Sequence, residues 1–469
     1  MEKKNVARDL AGHTYNRLVF VLVLLFGSFT MSISQSSMST AYPMLMKSFN
    51  IPTDVVQWIT TGLMLIMCIM MPASPWFLNN VKFKPLFLGI LATFDIGTLI
   101  ILFAPNFLIL MLGRALEALA MGVLFPSFQS VLLYITPKKQ RGGVMGLAGL
   151  IMGSALACGP IVSGIILHFA SWQYIFVVFM VIITVVFVLA CFTIKNVMPQ
   201  KSYHLDVLSV IYSIGLIGIL YVISMVKNKA IGAVPALVIL LISFAMIALF
   251  VHRQFHLKEP LLNLRVMKSF NYDLSVGLTC FSYIALIVVT IIFPLYYQYV
   301  LGTSKLLSGL ALVPGAALLS LLNPVTGKLT GTIGFKKTML IGMAMILAGW
   351  LLLFVLPKGI GIVPMMILAA VIESGNAFVM MPSVTMGNNS LPKALISHGT
   401  ALITTMRQVM GSAGVVVASL FLLDVKQANV SAAAHTVALN EFHTVFLVFF
   451  ILEIIGMVMA LMIRNPKRN

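Results

Sequence analysis

Charged residues are scarce in this sequence. They make up 9% of its 469 residues, whereas 60% of the residues are apolar and the mean hydropathy is +1.06. A soluble domain carries roughly 25% charged and about 45–50% apolar residues, so this chain has too few charges to cover a water-soluble globule. Its apolar segments run about 20 residues, the length of a membrane-spanning helix rather than of a barrel strand. The sequence therefore predicts an all-α polytopic membrane protein.

Motifs for a nucleotide, a metal ion or a disulfide framework are also missing. Gly327 and Lys328 are followed by Leu329, so the phosphate-binding G-x-x-x-x-G-K-[ST] loop is not present. The four cysteines lie inside apolar segments, and the eight histidines lie in loops or at segment ends without metal-ligand spacing. The longest loops, 252–272 and 424–441, are too short for a catalytic domain. We therefore expect no enzyme activity, no metal and no cofactor, and an ion gradient would have to drive any pumping.

Fourteen apolar segments are long enough to cross a hydrocarbon core of about 30 Å. They lie at 18–46, 55–78, 86–104, 107–133, 144–168, 174–194, 207–226, 231–251, 273–300, 306–327, 338–356, 361–385, 397–423 and 442–463. An even number places both termini on one side. With the termini inside, 22 of the 30 Lys and Arg residues fall in inner segments and 6 in outer loops, as the positive-inside rule requires. The net charge of +18 thus indicates topology rather than a nucleic acid partner, and we expect a cell-membrane protein with cytoplasmic termini.

Two of the predicted inner loops are similar to each other. WFLNNVKFK at 76–84 follows span 2, and GKLTGTIGFKK at 327–337 follows span 10, eight spans later. This spacing indicates two six-span halves with two extra spans between them, as in transporters built from parallel repeats. The predicted domains are an N-terminal six-helix bundle over 1–200, two additional linker helices over 201–255 and a C-terminal six-helix bundle over 256–469.

Several short motifs resemble those of one transporter family. They are LGRALE at 112–117, GPIVSG at 159–164, WQYIF at 172–176, EPLLNL at 259–264 and FPLYYQYVLG at 293–302. In this order they resemble the fourteen-span drug:proton antiporters of the major facilitator superfamily, the QacA/EmrB-like multidrug exporters. The resemblance implies the major facilitator fold, alternating access, and export of amphipathic drug-like compounds in exchange for protons. We expect a monomer whose partners are the lipid bilayer, protons and small amphipathic or cationic compounds.

Three places depart from the family pattern. Ser34 stands where the family usually has the aspartate of span 1. In loop 2–3, Asn79 and Lys82 replace the usual Asp and Gly, and Ser163 replaces one glycine of the span-5 signature. The first departure removes a common coupling site, so the proton carrier has to be sought elsewhere.

A proton-coupled exporter needs a carboxylate within the membrane that can lose and regain a proton. Such residues are costly in a bilayer and are functional candidates by default. We predict proton-coupling roles for Glu117, Arg114, Asp95 and Glu373. Glu117 lies three residues after Arg114 on one helix face, and Asp95 lies at matching depth across the turn between spans 3 and 4. The alternatives are a static Arg114–Glu117 ion pair and helix–helix hydrogen bonds made by Asp95 and Glu373, while Glu453 and Arg407 are expected to be structural.

The polar span 1 and the aromatic span 9 predict a substrate cavity, because a polar run is tolerated in a membrane only against protein or water. The cavity residues are predicted to be Ser34, Gln35, Tyr42, Phe281, Tyr283, Phe293, Tyr296, Tyr297 and Gln298. The antiporter motif of span 5 comprises Gly153, Gly159, Pro160 and Gly164, which let a helix pack closely and bend. The inner gate is predicted to use Gly327, Gly334, Lys336 and Lys337, unless the lysines only set topology.

Two other functions fit the same residues. One is an uptake symporter, or an exporter of a single native metabolite or lipid. The other is a membrane sensor or scaffold that does not transport, although a scaffold need not keep costly membrane carboxylates. A substrate-stimulated proton flux would separate transport from the second alternative.

Overall fold

The computed structural model describes residues 6–56, 58–201, 204–226, 232–422 and 432–464. These residues are mainly helical, apart from one hairpin near the N-terminus in which β1 (Val6–Arg8) pairs antiparallel with β2 (Thr14–Asn16). The helices are α1 (Arg17–Phe49), α2 (Thr53–Val56), α3 (Trp58–Met70), α4 (Ser74–Asn80), α5 (Phe83–Leu102), α6 (Phe107–Ile135), α7 (Arg141–Phe169), α8 (Gln173–Thr193), α9 (Val207–Ser213), α10 (Gly215–Val226), α11 (Ala233–His256), α12 (Phe270–Tyr299), α13 (Lys305–Leu310), α14 (Val313–Thr332), α15 (Phe335–Val355), α16 (Ile362–Asn389), α17 (Ile396–Leu420) and α18 (Ala432–Leu461). Three lysines of predicted outer loops lie outside the described residues: Lys227, Lys229 and Lys426.

Thirteen helical segments in the described part of the chain are long and apolar enough to cross a membrane. Thirteen of the fourteen predicted spans therefore have a matching helix in the described residues, and the exception is span 7. There the structure has a shorter apolar segment, Val207–Ile219, in which α9 ends at Ser213 and α10 begins at Gly215. Hydropathy does not detect this interruption, because the residues on both sides of it are apolar.

Local signals fix where several helices begin and bend. The Asn16 side chain accepts the N–H groups of Leu18 and Val19 at the start of α1, and the Asn106 side chain accepts that of Ile109 at the start of α6. These caps satisfy N–H groups that a helix leaves without partners. Proline interrupts the hydrogen-bond ladder within six long helices, at Pro43, Pro126, Pro160, Pro294, Pro324 and Pro382.

The surface is apolar and many polar groups are inside. Phe192 of α8 and Phe244 of α11 are 76% and 59% exposed. Serines, threonines and six charged helix residues are buried: Arg114, Glu117, Arg141, Glu373, Arg407 and Glu453. Large exposed apolar areas are unfavourable in water, whereas polar groups between helices support helix association in lipid. This distribution indicates a multi-pass membrane protein.

The helices of the first and last thirds of the chain pack in similar ways. α5 contacts α6 and α8, and α1 contacts α7; correspondingly, α15 contacts α16 and α18, and α12 contacts α17. Between these groups, α10 and α11 pack on each other, and α10 also contacts α3 and α17. The Trp58 and Tyr221 rings lie 5.7 Å apart at the α3–α10 contact.

Helix ends that carry basic residues meet at one end of the molecule, which we call the basic face. Arg17, at the start of α1, donates to Thr136 after α6 (2.8 Å), and Lys84, near the start of α5, donates to a carbonyl near the end of α8. Asn271, at the start of α12, donates to the Arg464 carbonyl after α18 (3.1 Å). The basic face is the side that the sequence predicts to be cytoplasmic.

Candidate functional site

A buried ion pair on α6 is the centre of the candidate site. Arg114 Nη1 lies 2.5 Å from Glu117 Oε2, and neither residue is exposed. The spacing of three residues places both side chains on one face of the helix. Thr98 of α5 donates to the other carboxylate oxygen, Glu117 Oε1, at 2.7 Å. Both oxygens of Glu117 are thus hydrogen-bonded, which is what a carboxylate without water requires.

Two glycines bring α5 close enough for the Thr98 hydrogen bond. A Cβ atom on Gly97 would lie 2.7 Å from the Gly113 carbonyl oxygen, and one on Gly113 would lie 2.6 Å from the Gly97 carbonyl oxygen. Only glycine permits this separation of the two backbones. The glycines lie within four residues of Glu117 or next to Thr98, so the helix crossing and the ion pair form one unit.

The Arg114 guanidinium also faces α1. Its Nη1 lies 3.5 Å from Ser34 Oγ, while its Nε and Nη2 have no hydrogen-bond partner among the described residues. Ser34 is fully buried. The position at which the resembling family has an aspartate is therefore adjacent to Arg114, although serine cannot neutralise the arginine.

Asp95 lies one helical turn before Thr98 on α5 and bonds to a different helix. It accepts a hydrogen bond from Thr184 of α8 at 3.0 Å and is only half-buried. The structure therefore joins Asp95 to α8 and does not place it in hydrogen-bond contact with Glu117. Its proposed share in proton coupling stays a prediction.

Glu373 lies within the second group of helices. It is 2% exposed, and its Oε2 would be 2.9 Å from a Cβ atom on Gly315, so α14 passes directly beside the carboxyl group. Glu373 Oε2 and the Tyr297 hydroxyl are both buried without a hydrogen-bond partner among the described residues. Glu453 of α18 is fully buried, and both of its carboxyl oxygens are likewise unpartnered within that part of the chain.

Arg407 of α17, which was expected to be a structural residue, is buried. It is 3% exposed, and its guanidinium carbon lies 5.1 Å from the centre of the Tyr283 ring. Tyr283, in turn, donates its hydroxyl to Gln408 Oε1 at 3.2 Å. The sequence signal was present, since an arginine within a span is unusual, but the order of the spans did not show which side of α17 faces inward.

The antiporter motif of α7 packs tightly on α1. Ser36 of α1 donates to the Ala155 carbonyl at 2.8 Å, and the Thr40 and Ser163 hydroxyls are in hydrogen-bond contact. A Cβ atom on Gly159 would collide with the Ser36 side chain, whereas Gly164 has no atom within 4 Å of such a position. Ser163, which replaces a family glycine, thus makes a contact to α1 that glycine could not make.

On the basic face, α7 and α14 touch through their backbones. A Cβ atom on Gly142 would lie 2.5 Å from the Gly327 carbonyl oxygen, and one on Gly146 would lie 2.5 Å from the Asn323 carbonyl oxygen. Gly153, deeper in α7, lies against Ser320. Gly327 was predicted to belong to the inner gate, but its partners Gly142 and Gly146 were missed.

Further contacts close the same face. Arg141, at the start of α7, donates to Asn389 Oδ1 at the end of α16 (2.7 Å), and the Lys393 ammonium lies 5.7 Å from the centre of the Tyr134 ring. The gate role of the predicted lysines stays a prediction. Lys336 donates to the Leu461 carbonyl of α18 (2.7 Å), and Lys337 is exposed. The described structure is therefore closed at the basic face.

Gly334 has a different role from Gly327. Its φ of +86° lies in the left-handed region, and it directly precedes α15. A residue with a Cβ atom would be strained there. Gly334 therefore fixes the turn between α14 and α15, and its part in a gate stays a prediction.

Three of the six predicted cavity aromatics, Phe293, Tyr296 and Tyr297, pack against other rings. Phe293 and Tyr296 of α12 lie within 6.3 Å of the Phe446 ring of α18, and Trp350 of α15 contacts the same group. Phe281 faces Gly456 of α18. Other predicted cavity residues bond to neighbouring helices. These are Tyr42, which donates to Thr60 Oγ1 at 2.6 Å, and Gln298, which donates to Ser308 Oγ at 2.9 Å.

Ser34 and Tyr283 differ from the residues of the aromatic group. Ser34 lies beside Arg114, and Tyr283 lies beside Arg407. Gln35 follows Ser34 and is half-buried. Ser34 and Tyr283 thus contact buried charges, and the cavity role of the whole set stays a prediction.

A cleft of about 250 Å³ lies at the basic face and is separate from the ion pair. Its walls include Asn79, Tyr134, Lys201, Lys258, Lys393 and His398. Its lysines match the basic inner loops of the sequence. Among the described residues, no group of three or more His, Cys, Asp or Glu side chains could hold a metal ion.

Comparison with known proteins places this arrangement in a wider group. A sequence model of the Major Facilitator Superfamily matches residues 24–415. The chain is 32% identical over 456 residues to the uncharacterized MFS-type transporter YcnB of Bacillus subtilis, covering 97% of this chain and 96% of that protein. It is 29% identical to the lincomycin resistance protein LmrB of Listeria monocytogenes, covering 97% and 98% of the two chains.

Solved structures share the fold at low sequence identity. The crystal structure of the human organic anion transporter MFSD10 superposes with a TM-score of 0.65 at 13% identity, covering 93% of this chain and 99% of that one. The proton:xylose symporter XylE, bound to a halogenated glucose analogue, gives the same TM-score and identity, covering 94% of each chain.

Proposed function

Since the chain belongs to the Major Facilitator Superfamily of membrane transporters, we propose that it is a proton-coupled exporter of amphipathic drug-like compounds. In this proposal the fourteen spans form two six-helix bundles, 1–200 and 256–469, joined by the two helices of 201–255. The bundles rock around a central site. The basic face and both termini lie in the cytoplasm, so the closed basic face corresponds to the outward-facing state.

The Arg114–Glu117 pair carries this proposal. Both residues are fully buried at 2.5 Å from each other, and a buried charge is stable only while its partner stays charged. A proton that reaches Glu117 neutralises the carboxylate and removes the counter-charge of Arg114. Protonation therefore changes the local electrostatics abruptly, as a coupling site requires.

A continuous set of contacts leads from this pair to the gate. Arg114 Nη1 is 3.5 Å from Ser34 of α1. Two residues further along α1, Ser36 holds α7. α7 then meets α14 at the glycine contacts of the basic face. An arginine released from Glu117 would turn towards Ser34 and alter the α1–α7 contact, which would loosen the α7–α14 closure.

The relatives support the class of substrate. One is named a lincomycin resistance protein, and the multidrug resistance protein B homolog of Mycobacterium tuberculosis is 27% identical over 436 residues, covering 89% of this chain and 78% of that protein. Resistance by a membrane transporter is most directly explained by export. The same inference supports an exporter for this chain rather than an uptake symporter.

The test is efflux of a fluorescent dye from energised cells, with and without a protonophore. We expect protonophore-sensitive efflux in wild type and its loss in Glu117→Gln, which keeps the side-chain shape but cannot release a proton. Asp95→Asn is tested beside it, because Asp95 is the other predicted coupling acid of this helix pair and is bonded to Thr184 instead.

The outcomes distinguish the candidate coupling residues and the candidate transport functions. Normal efflux in Glu117→Gln would refute the assignment of the coupling residue, and loss in Asp95→Asn alone would transfer it to α5. Protonophore-sensitive accumulation of the dye, instead of efflux, would show an uptake symporter. Absence of any dye movement would remove the drug-like substrate class from the proposal.

A further inference from the structure

Among the described residues, Arg407 is a buried cation that has no ion pair. Its side chain is 3% exposed, and the Nε and Nη1 groups have no hydrogen-bond partner among the described residues. An arginine stays charged inside a protein, and an unpaired buried charge is strongly unfavourable. Its retention therefore requires a reason other than stability.

The acids of the described interior are already engaged or do not reach Arg407. Glu117 pairs with Arg114, and Asp95 accepts from Thr184. Oε2 of Glu373 and both carboxyl oxygens of Glu453 have no hydrogen-bond partner in the described part of the chain. Arg407 is in none of the three ion pairs found there.

Arg407 also lies where the two groups of helices meet. α17 packs on α12 on one side, and on α6 and α4 on the other. Tyr283, which the guanidinium faces at 5.1 Å, packs against an apolar cluster that includes Met121 of α6 and Val276 of α12. In a transporter of alternating access, this boundary between bundles is the place where a substrate binds.

From these observations we propose that Arg407 binds an acidic group of the transported compound, a carboxylate or a phosphate. The planar guanidinium matches such groups in geometry and charge. The Tyr283 ring holds the cation from one side, and the Tyr283–Gln408 hydrogen bond fixes the ring. Tyr283 also offers a surface for an apolar or aromatic part of the compound next to its acidic group. The inference rests on the proposed export function and specifies its substrate class as acidic or zwitterionic amphipathic compounds.

The first measurement compares two dyes that differ by one charge. Rhodamine 110 carries a free carboxylate, and rhodamine 123 is its methyl ester. Binding is followed by fluorescence anisotropy with the purified full-length chain in lipid nanodiscs. We expect wild type to bind rhodamine 110 about 10-fold or more tightly than rhodamine 123, the range of a hydrogen bond between charged groups.

Variants assign that preference to one side chain. Arg407→Gln should bring the affinity ratio close to one, and Arg407→Lys should keep part of the preference because it keeps the charge. Arg253→Gln is the matched control, since Arg253 of α11 is an arginine already paired with Asp206. No binding of rhodamine 110 by wild type, a wild-type ratio of one or less, or an unchanged ratio in Arg407→Gln would overturn the proposal.

The second measurement is the thermal unfolding of the ligand-free protein. If Arg407 is kept for a ligand, Arg407→Gln removes an uncompensated charge and should raise the midpoint by at least about 1 °C. A lower midpoint, or failure to fold, would show that the arginine is structural and would overturn the proposal. Dye export that continues without any preference between the two dyes would leave the exporter function intact and refute only the acidic substrate. A preference between them in a protein that exports neither would refute only the exporter.

Discussion

Replacing Gly142 by alanine is expected to open the closed basic face. The added methyl group would lie 2.5 Å from the Gly327 carbonyl oxygen and 2.5 Å from Thr330 Oγ1, whereas ordinary contacts of a Cβ atom begin at 3.4 Å. α7 and α14 must therefore separate until the added methyl group is about 3.4 Å from both oxygen atoms. One of the two obstacles is backbone, so a side-chain rotation cannot remove the clash.

The size of the effect follows from the cost of overpacking. An extra methyl group in a close contact costs about 1–3 kcal/mol, and this cost falls only on the state in which α7 and α14 touch. The ratio of open to closed states should then rise about 5–150-fold. Alanine also stabilises a helix relative to glycine by about 1 kcal/mol, but this gain is the same in both states. Gly143→Ala is the matched control, because no atom lies within 4 Å of its added Cβ.

The assay is the labelling rate of a cysteine placed behind the closure. Met381 is 1% exposed, and its side chain lies 2.7 Å from the position of a Cβ atom on Gly149. Met381→Cys, with the four native cysteines replaced, is labelled with a membrane-impermeant maleimide in vesicles of both orientations. Gly142→Ala should accelerate labelling about 5–150-fold in one orientation, while Gly143→Ala should leave it unchanged. Equal rates in all three proteins, or equal acceleration by both alanines, would refute the reasoning.

Three further predictions concern other contacts. Burial alone would raise the pKa of Asp206, but hydrogen bonds from Arg253 and Ser209 hold that pKa below its usual value. The stability that Asp206 contributes is then complete above the usual aspartate pKa, and it is lost as the pH falls through the lower pKa of the folded state. Asp206→Asn should therefore reduce the thermal midpoint at pH 7. It should also make the midpoint decline less steeply as the pH falls into the acid range. Gly159→Ala should lower the free energy of unfolding by about 1–3 kcal/mol, because the added methyl group meets Ser36. Gly164→Ala should change it by less than about 0.5 kcal/mol. Equal effects of the two substitutions would contradict the described α1–α7 contact. Gly113→Ala places a methyl 2.6 Å from the Gly97 carbonyl oxygen and should slow dye efflux more than it lowers the amount of protein in the membrane; unchanged efflux would show that the ion pair tolerates the displacement.

Hydropathy predicts the membrane class and most helices because the requirement comes from the bilayer. Any segment that crosses it needs about 20 apolar residues, whatever the segment packs against. The break in span 7 between α9 and α10 depends instead on backbone hydrogen bonds, and it lies within an apolar run. The β1–β2 hairpin is too short for a periodic signal.

The candidate site was predictable where its contacts lie within one helix. Arg114 and Glu117 are three residues apart, and the helical repeat alone brings them together. Asp95 was expected near them from its depth, and that expectation stays a prediction. Depth does not give the direction in which a side chain leaves the helix, so the hydrogen bond of Asp95 with Thr184 of α8 could not be predicted. The burial of Arg407 could not be predicted for the same reason, since packing between distant helices decides which face of α17 is covered.

The position of α10 has a consequence for compounds dissolved in the membrane. α10 contacts α3 on one side and α17 on the other, and the Trp58–Tyr221 ring contact joins it to α3. It therefore covers part of the line along which these two helices approach each other. A lipophilic compound that enters the protein sideways from the acyl chains meets α10 along this line. We therefore expect α10 to obstruct lateral access on that flank of the transporter.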